Sequence, residues 1–235
     1  MVDATYLNDA ILRPLVAIVA TIAGIGGIFV IQSFFGHKLK ELFEDRNYQI
    51  LFFLAAGYFI YALGEVSYYL SKDIFLDKSD LGIADLYYSI GLVCVVISFF
   101  MFTRQLAQRK PKNNNLTITY GIAALLLITF IFKINTQGDA FFTYFYPIMS
   151  AIAVTFGITC ILNISEFESI RVPLELFTLA NTLILFGDII YTLNPLQFSA
   201  DTIQIIYNPF YIIGYATSFF AFITLRNNLT HMNKK

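Results

Sequence analysis

Seven stretches of predominantly apolar residues, joined by short polar connections, organise the chain: 11–36, 49–70, 83–106, 116–133, 141–163, 172–193 and 202–225. A helix rising 1.5 Å per residue needs about 20 residues to cross roughly 30 Å of hydrocarbon. Inside a bilayer only helices or a closed barrel satisfy every backbone group, and continuous runs of this length predict helices. The expected fold is all-α: a polytopic membrane protein with seven transmembrane helices in one membrane domain, residues 1–235.

The polar positions repeat at an offset of 123 residues. Gly64, Glu65, Tyr68 and Leu70 recur as Gly187, Asp188, Tyr191 and Leu193. Asp85, Tyr88, Ile90 and Gly91 recur as Asn208, Tyr211, Ile213 and Gly214. Acids, tyrosines and glycines do not recur through apolar composition alone, so a duplicated helical hairpin is expected. The second and third spans match the sixth and seventh. The first pairs with the fifth with almost no identities, and the fourth is left as a linker. The plan is three plus one plus three, with copies over about 11–107 and 134–230 inserted in the same direction, as in some parallel-repeat transporters.

Composition agrees with a membrane domain. The chain is 57% hydrophobic and 13% charged, with a mean hydropathy of +0.68, whereas soluble domains carry about 25% charged residues. No room for a soluble catalytic or output domain is expected. The first ten residues contain Asp3 and Asp9 but no base, unlike a secretory signal. Cys94 and Cys160 fall in apolar spans and read as small packing residues rather than a disulfide.

Charge then sets an orientation. Eleven Lys and Arg residues fall on one predicted side and four, Arg13, Lys72, Lys78 and Lys133, on the other. The positive-inside bias places the N-terminus outside the cell membrane and the C-terminus in the cytoplasm. Residues 37–46 put Leu39, Leu42 and Phe43 on one face, which suits a short interfacial helix or an extension of the first span. Ala17, Ala20, Gly24 and Gly27 form a small-residue stripe of the kind that lets helices approach closely. Pro147 should kink the fifth span, and Pro209 is expected at the harmless start of the seventh.

The candidate chemistry is a pair of acid–tyrosine faces. Glu65 lies 15 residues beyond Ile50, about 22 Å along its helix, in the outer part of the hydrocarbon layer, with Asp188 at matching depth. Tyr58, Tyr61, Glu65 and Tyr68 follow i, i+3, i+7, i+10 spacing on one face. Asn208, Tyr211, Tyr215 and Ser218 repeat it. Asn181, Asp188 and Tyr191 share a face, and Asp85 and Tyr88 open the third span. Ionisable groups at membrane depth face a protein interior or a wet cavity. Burial and donated tyrosine hydroxyls act on such carboxyls in opposite senses. Three readings follow: each acid locks its own hairpin through a tyrosine, the faces line an outward-open ligand pocket, or they form a proton or ion path.

Other chemistry is excluded more firmly. His37 and His231 are the only histidines, and both sit at predicted cytoplasmic edges, so bis-histidine haem and intramembrane histidine–metal sites are not expected. No Walker sequence, nucleophile elbow or Cys–His pair appears. No catalytic residue, metal, cofactor or nucleic-acid partner is expected.

Seven helices on a three-one-three plan with an outside N-terminus resemble microbial rhodopsins and SWEET sugar transporters in topology. The lysine that would hold retinal is missing from 202–225, and the Pro-Gln pair of SWEET repeats is absent. Asn208-Pro209 is similar to the seventh-helix motif of G-protein-coupled receptors but lies at the wrong end and lacks its tyrosine. Gly64-Glu65, Tyr68 and Ala84-Asp85-Leu86-Tyr87-Tyr88 resemble the membrane sensor modules of prokaryotic signalling proteins: an acid and an aromatic near one helix end, a polar loop, then an Asp–Tyr start to the next helix. The doubled, partly diverged acid–tyrosine faces, together with that resemblance, lead to the expectation of a ligand-binding or sensory module formed by Glu65, Asp188, Tyr61, Tyr68, Asp85, Tyr88, Tyr191, Asn208, Tyr211 and Tyr215. It would bind a small ligand from the outer side and act through a membrane or cytoplasmic protein partner. A small-solute or proton-coupled transporter, and a non-catalytic subunit of a membrane complex, are the alternatives.

Overall fold

A computed structural model describes residues 7–35, 44–71, 82–109, 121, 123–125, 140–164, 169–192 and 200–232. Within them the chain is all-helical, with six helices long and apolar enough to cross a membrane. They are α1 (Arg13–Phe35, preceded by a π-helical turn, Asn8–Leu12), α2 (Arg46–Tyr69), α3 (Ile83–Arg109), α4 (Ala140–Asn163), α5 (Arg171–Thr192) and α6 (Ala200–Met232). These match six of the expected spans to within a few residues, except that α6 runs seven residues past Leu225. The expected span 116–133 lies outside the described residues, apart from helical positions at 121 and 123–125. Most of the interfacial segment 37–46 lies outside them as well.

The six helices pack as a ring in chain order: each lies against the next, and α6 closes on α1. The ring is inside-out in the sense a lipid solvent requires. Leu15, Ile18, Ile22, Ile25 and Phe29 of α1 point outward at helical spacing, as do Ile206, Ile213 and Phe220 of α6. Buried instead are Tyr58, Asn181, Tyr215, Ser218 and Phe222. Polar groups gather inside because there they find partners, whereas in hydrocarbon each unsatisfied group costs several kcal/mol.

Local sequence explains the close contacts. Asp45 caps α2, accepting from the Asn47 and Tyr48 backbone N–H groups at 2.8 and 3.3 Å. On the small-residue stripe, a Cβ at Gly24 would come within 2.8 Å of the Phe59 Cα, and one at Gly27 within 2.8 Å of the Phe222 ring. The stripe therefore seats α1 against both α2 and α6. Gly57 and Gly91 face one another across α2 and α3, each Cβ position 2.9 Å from the other's carbonyl oxygen.

One expectation is corrected. Pro209 lies inside α6, nine residues past its first residue, not at a helix start. It removes a backbone donor from the helix interior, at the level where Asn208 reaches across to Asn8 in the turn before α1. Pro147 is likewise inside α4.

Candidate functional site

At the end of the bundle formed by the starts of α1, α3, α4 and α6 and the ends of α2 and α5, the helices enclose a cavity of about 100 Å³. All ten residues singled out from the sequence line it. Glu65 and Asp188, from different hairpins, share this one space. Nine of its lining residues are tyrosines: Tyr61, Tyr68, Tyr69, Tyr88, Tyr146, Tyr191, Tyr207, Tyr211 and Tyr215.

Glu65 is held from two helices. The Tyr88 hydroxyl of α3 donates to one carboxylate oxygen at 2.8 Å, and the Tyr215 hydroxyl of α6 donates to the other at 2.8 Å. Asp188 accepts from Tyr211 of α6 at 2.8 Å and from Ser150 of α4 at 2.5 Å. The Tyr88–Glu65 and Tyr211–Asp188 bonds both span 23 residues and join neighbouring helices. Each ring also packs over a glycine one residue before its acid. A Cβ at Gly64 would meet the Tyr88 ring at 2.7 Å, and one at Gly187 the Tyr211 ring at 2.8 Å. Glycine at these two positions leaves room for the tyrosine to reach the carboxylate.

Asp85 is placed by local geometry at the start of α3, where one of its oxygens accepts from the Gly82 backbone N–H at 2.9 Å. Its other oxygen accepts from the Tyr146 hydroxyl of α4 at 3.0 Å. Asn208 donates to the Asn8 side-chain oxygen at 2.8 Å, and Asn8 in turn donates to Gln204 and Asp9. Arg13 donates to Gln204 at 2.5 Å, pairs with Asp9 at 3.2 Å and sits 5.9 Å from the centre of the Tyr68 ring. A polar or cation–π link therefore crosses each of the six helix seams at this end. The acids lock hairpins and line the cavity at once, so the locking and pocket readings describe the same side chains.

The tyrosines form a nearly continuous aromatic wall. Tyr61 packs on Tyr88 and Tyr215 at 6.3 and 6.2 Å between ring centres, Tyr88 on Tyr146 at 6.1 Å, and Tyr207 on Tyr191 and Tyr211 at 5.7 and 5.6 Å. Most of these pairs are edge-on, the arrangement ring quadrupoles favour. Tyr191 stands at the rim, 43% exposed.

Below the cavity the bundle is closed. Tyr58, Phe177 and Phe222 meet with ring centres 4.7 to 5.9 Å apart, and Asn181 donates to the Tyr58 hydroxyl at 3.0 Å. Beyond this layer lies a smaller apolar cavity of about 30 Å³ bordered by Leu54, Phe99 and Phe177.

Several participants escaped the sequence reading. Arg13 counted only as a charge on one side of the membrane, yet it borders the cavity. Tyr146 and Ser150 lie one turn apart on α4, a span whose counterpart in the other half has almost no matching residues. Tyr207, Tyr211 and Tyr215 follow i, i+4, i+8 spacing, a signal strong enough to have included Tyr207. Comparison with protein-family models, with curated proteins and with solved structures returns no match.

Proposed function

We propose that this chain is a multi-pass cell-membrane protein that binds a small ligand in the acid–tyrosine cavity and reports occupancy, by helix movement, to a protein partner. The observation that carries this reading is the double hold on Glu65. Tyr88 from its own hairpin and Tyr215 from the other meet the same carboxylate at the wall of a cavity that also contains Asp188. A ligand competing for either hydroxyl changes a contact between α2, α3 and α6 together, which is what a binding signal must do to reach the far end of the helices.

The wider proposal has seven spans, with 116–133 as the linker, and a duplicated three-helix unit inserted twice in one direction. The equivalent Tyr–acid bonds and the tyrosine-covered glycines support it. The cavity then opens to the outside, with the N-terminus there and the C-terminus cytoplasmic. The role is binding rather than catalysis.

Thermal-shift screening of small solutes against the purified full chain tests the binding step. A ligand present at a hundredfold its Kd stabilises the folded state by about 2.7 kcal/mol. The proposal expects such a stabilisation in the wild type and its loss in Glu65→Gln and Asp188→Asn variants that still fold. If both variants respond to every solute as the wild type does, the cavity is not the binding site.

Transport has one observation in its favour: the apolar cavity on the far side of the Tyr58–Phe177–Phe222 layer. A rocking transporter would open that layer, and solute counterflow in proteoliposomes would then replace ligand-stabilised closure as the activity.

A further inference from the structure

The chemistry of the cavity selects a class of ligand, an inference that rests on the binding role proposed above. Three acidic residues line the space, Glu65, Asp85 and Asp188, against one base, Arg13. That guanidinium is already paired with Asp9 at 3.2 Å. The remaining wall is dominated by tyrosine rings, whose faces carry the negative end of the ring quadrupole and attract cations.

Hydrogen-bonding capacity is left over at the same place. Glu65 receives one bond on each carboxylate oxygen, about half of the four positions a carboxylate offers. Tyr61 and Tyr207 are 5% and 6% exposed, and both line the cavity. Neither hydroxyl has a hydrogen-bond partner among the described residues, so each can bond a group that enters the cavity. A group with several N–H donors can meet both the open carboxylate positions of Glu65 and the lone pairs of these hydroxyls.

We infer that the cavity takes a small protonated amine, its ammonium group meeting Glu65 and the Tyr61 hydroxyl and its apolar part lying against tyrosine rings, Val16 and Ile184. An anion is disfavoured by the acidic lining. A neutral solute brings no positive charge to hold the two carboxyl groups ionised in one low-dielectric space, whereas an ammonium does. A calcium-like ion needs six to eight converging oxygens, whereas these walls present ring carbons and carboxylates already engaged by tyrosine. A cavity of about 100 Å³, smaller than the roughly 150 Å³ that takes benzene, favours a compact alkylamine.

Calorimetric titration of the purified full chain with isobutylammonium chloride, isobutanol and sodium isobutyrate tests this, since the three probes share a shape and differ in charge. Isobutylammonium is expected to bind at least about tenfold more tightly than isobutanol, a difference of about 1.4 kcal/mol, and isobutyrate not at all. Tyr61→Phe, which keeps the ring and removes the hydroxyl, and Glu65→Gln should each weaken amine binding about tenfold. Equal binding of isobutanol and the amine overturns the amine assignment while leaving a ligand pocket in place. So does an amine affinity unchanged in both variants. No binding of isobutylammonium to the wild type also overturns the assignment, and the solute screen with the two acid variants decides the binding role separately. Should Glu65→Gln fail to fold, the wild-type comparison of amine with alcohol decides alone.

Discussion

Asn181 of α5 donates a hydrogen bond to the hydroxyl of Tyr58 of α2 at 3.0 Å, and the two residues are 123 positions apart. That separation equals the offset at which the acids, tyrosines and glycines recur. Equivalent positions of two copies touch one another only near the axis that relates them, as at an isologous interface. Asn181 and Tyr58 are both buried, 2% and 0% exposed, in the middle of the ring. Their contact supports the proposed duplication with an axis along the bundle, and it places the aromatic closure on that axis.

The Tyr58–Asn181 bond should be measurable as a coupling. Tyr58→Phe keeps the ring contacts with Phe177 and Phe222, and Asn181→Leu keeps the volume. Each single change is expected to cost about 1–3 kcal/mol by leaving a buried partner unsatisfied. The double variant should cost less than the sum, with a coupling of about 1 kcal/mol. Unfolding in detergent by denaturant measures all three, and strict additivity would show that the two groups do not interact.

Gly64→Ala and Gly187→Ala should each push a tyrosine off its acid. The added methyl would sit 2.7 Å from the Tyr88 ring or 2.8 Å from the Tyr211 ring, so the ring must move and its bond to Glu65 or Asp188 lengthens. Overpacking of this kind costs about 1–3 kcal/mol. Gly57→Ala should be worse tolerated, because its neighbours include the Gly91 backbone carbonyl at 2.9 Å, and only separation of α2 from α3 relieves that contact. Thermal midpoints of the three variants should fall in that order.

Tyr215→Phe isolates the link between the two hairpins at Glu65. Phe retains the ring contact with Tyr61 and deletes the 2.8 Å bond to the carboxylate. The expected loss is about 1.5–3 kcal/mol, the range for hydrogen bonds to charged groups. Tyr88→Phe should cost a similar amount, while the double variant strips Glu65 of both donors and should fall furthest. Unfolding free energies from denaturant titration check the ranking.

Orientation is testable from the two ends of the bundle. With Cys94 and Cys160 replaced by alanine, Gly82→Cys marks the cavity end and Asn227→Cys the opposite end, both at exposed positions. The proposed topology expects a membrane-impermeant maleimide to label the first on intact cells and the second only after permeabilisation. The reverse pattern would place the cavity mouth in the cytoplasm.

The acids show how much of the site could be seen in the chain alone. Spacing of i, i+3, i+7 and i+10 assigned Glu65, Tyr61 and Tyr68 to one face, and the offset assigned Asp188 a matching depth. Neither rule says which tyrosine a carboxylate meets. Tyr88 and Tyr215 reach Glu65 from helices lying 23 and 150 residues away in sequence, and such contacts depend on how helices are ordered around the ring. Pro209 was misplaced although the expected span began at 202: only the first turn of a helix has N–H groups without an intrahelical partner, and Pro209 lies beyond that turn in α6.

The amino-acid order by itself determined the helices, their apolar outer surfaces and the recurrence of acid and tyrosine, because helical period and the hydrophobic thickness of a bilayer act on local sequence. Only the tertiary structure decided that Glu65 and Asp188 share one cavity, that Arg13, Tyr146 and Tyr207 border it, and that Tyr58 and Asn181 close it below. Those are relations between helices distant in sequence, set by glycine contacts such as Gly24 on Phe59 and Gly57 on Gly91. Interhelical approach at that scale follows from side-chain shapes meeting across the ring, which no periodicity within a single segment encodes.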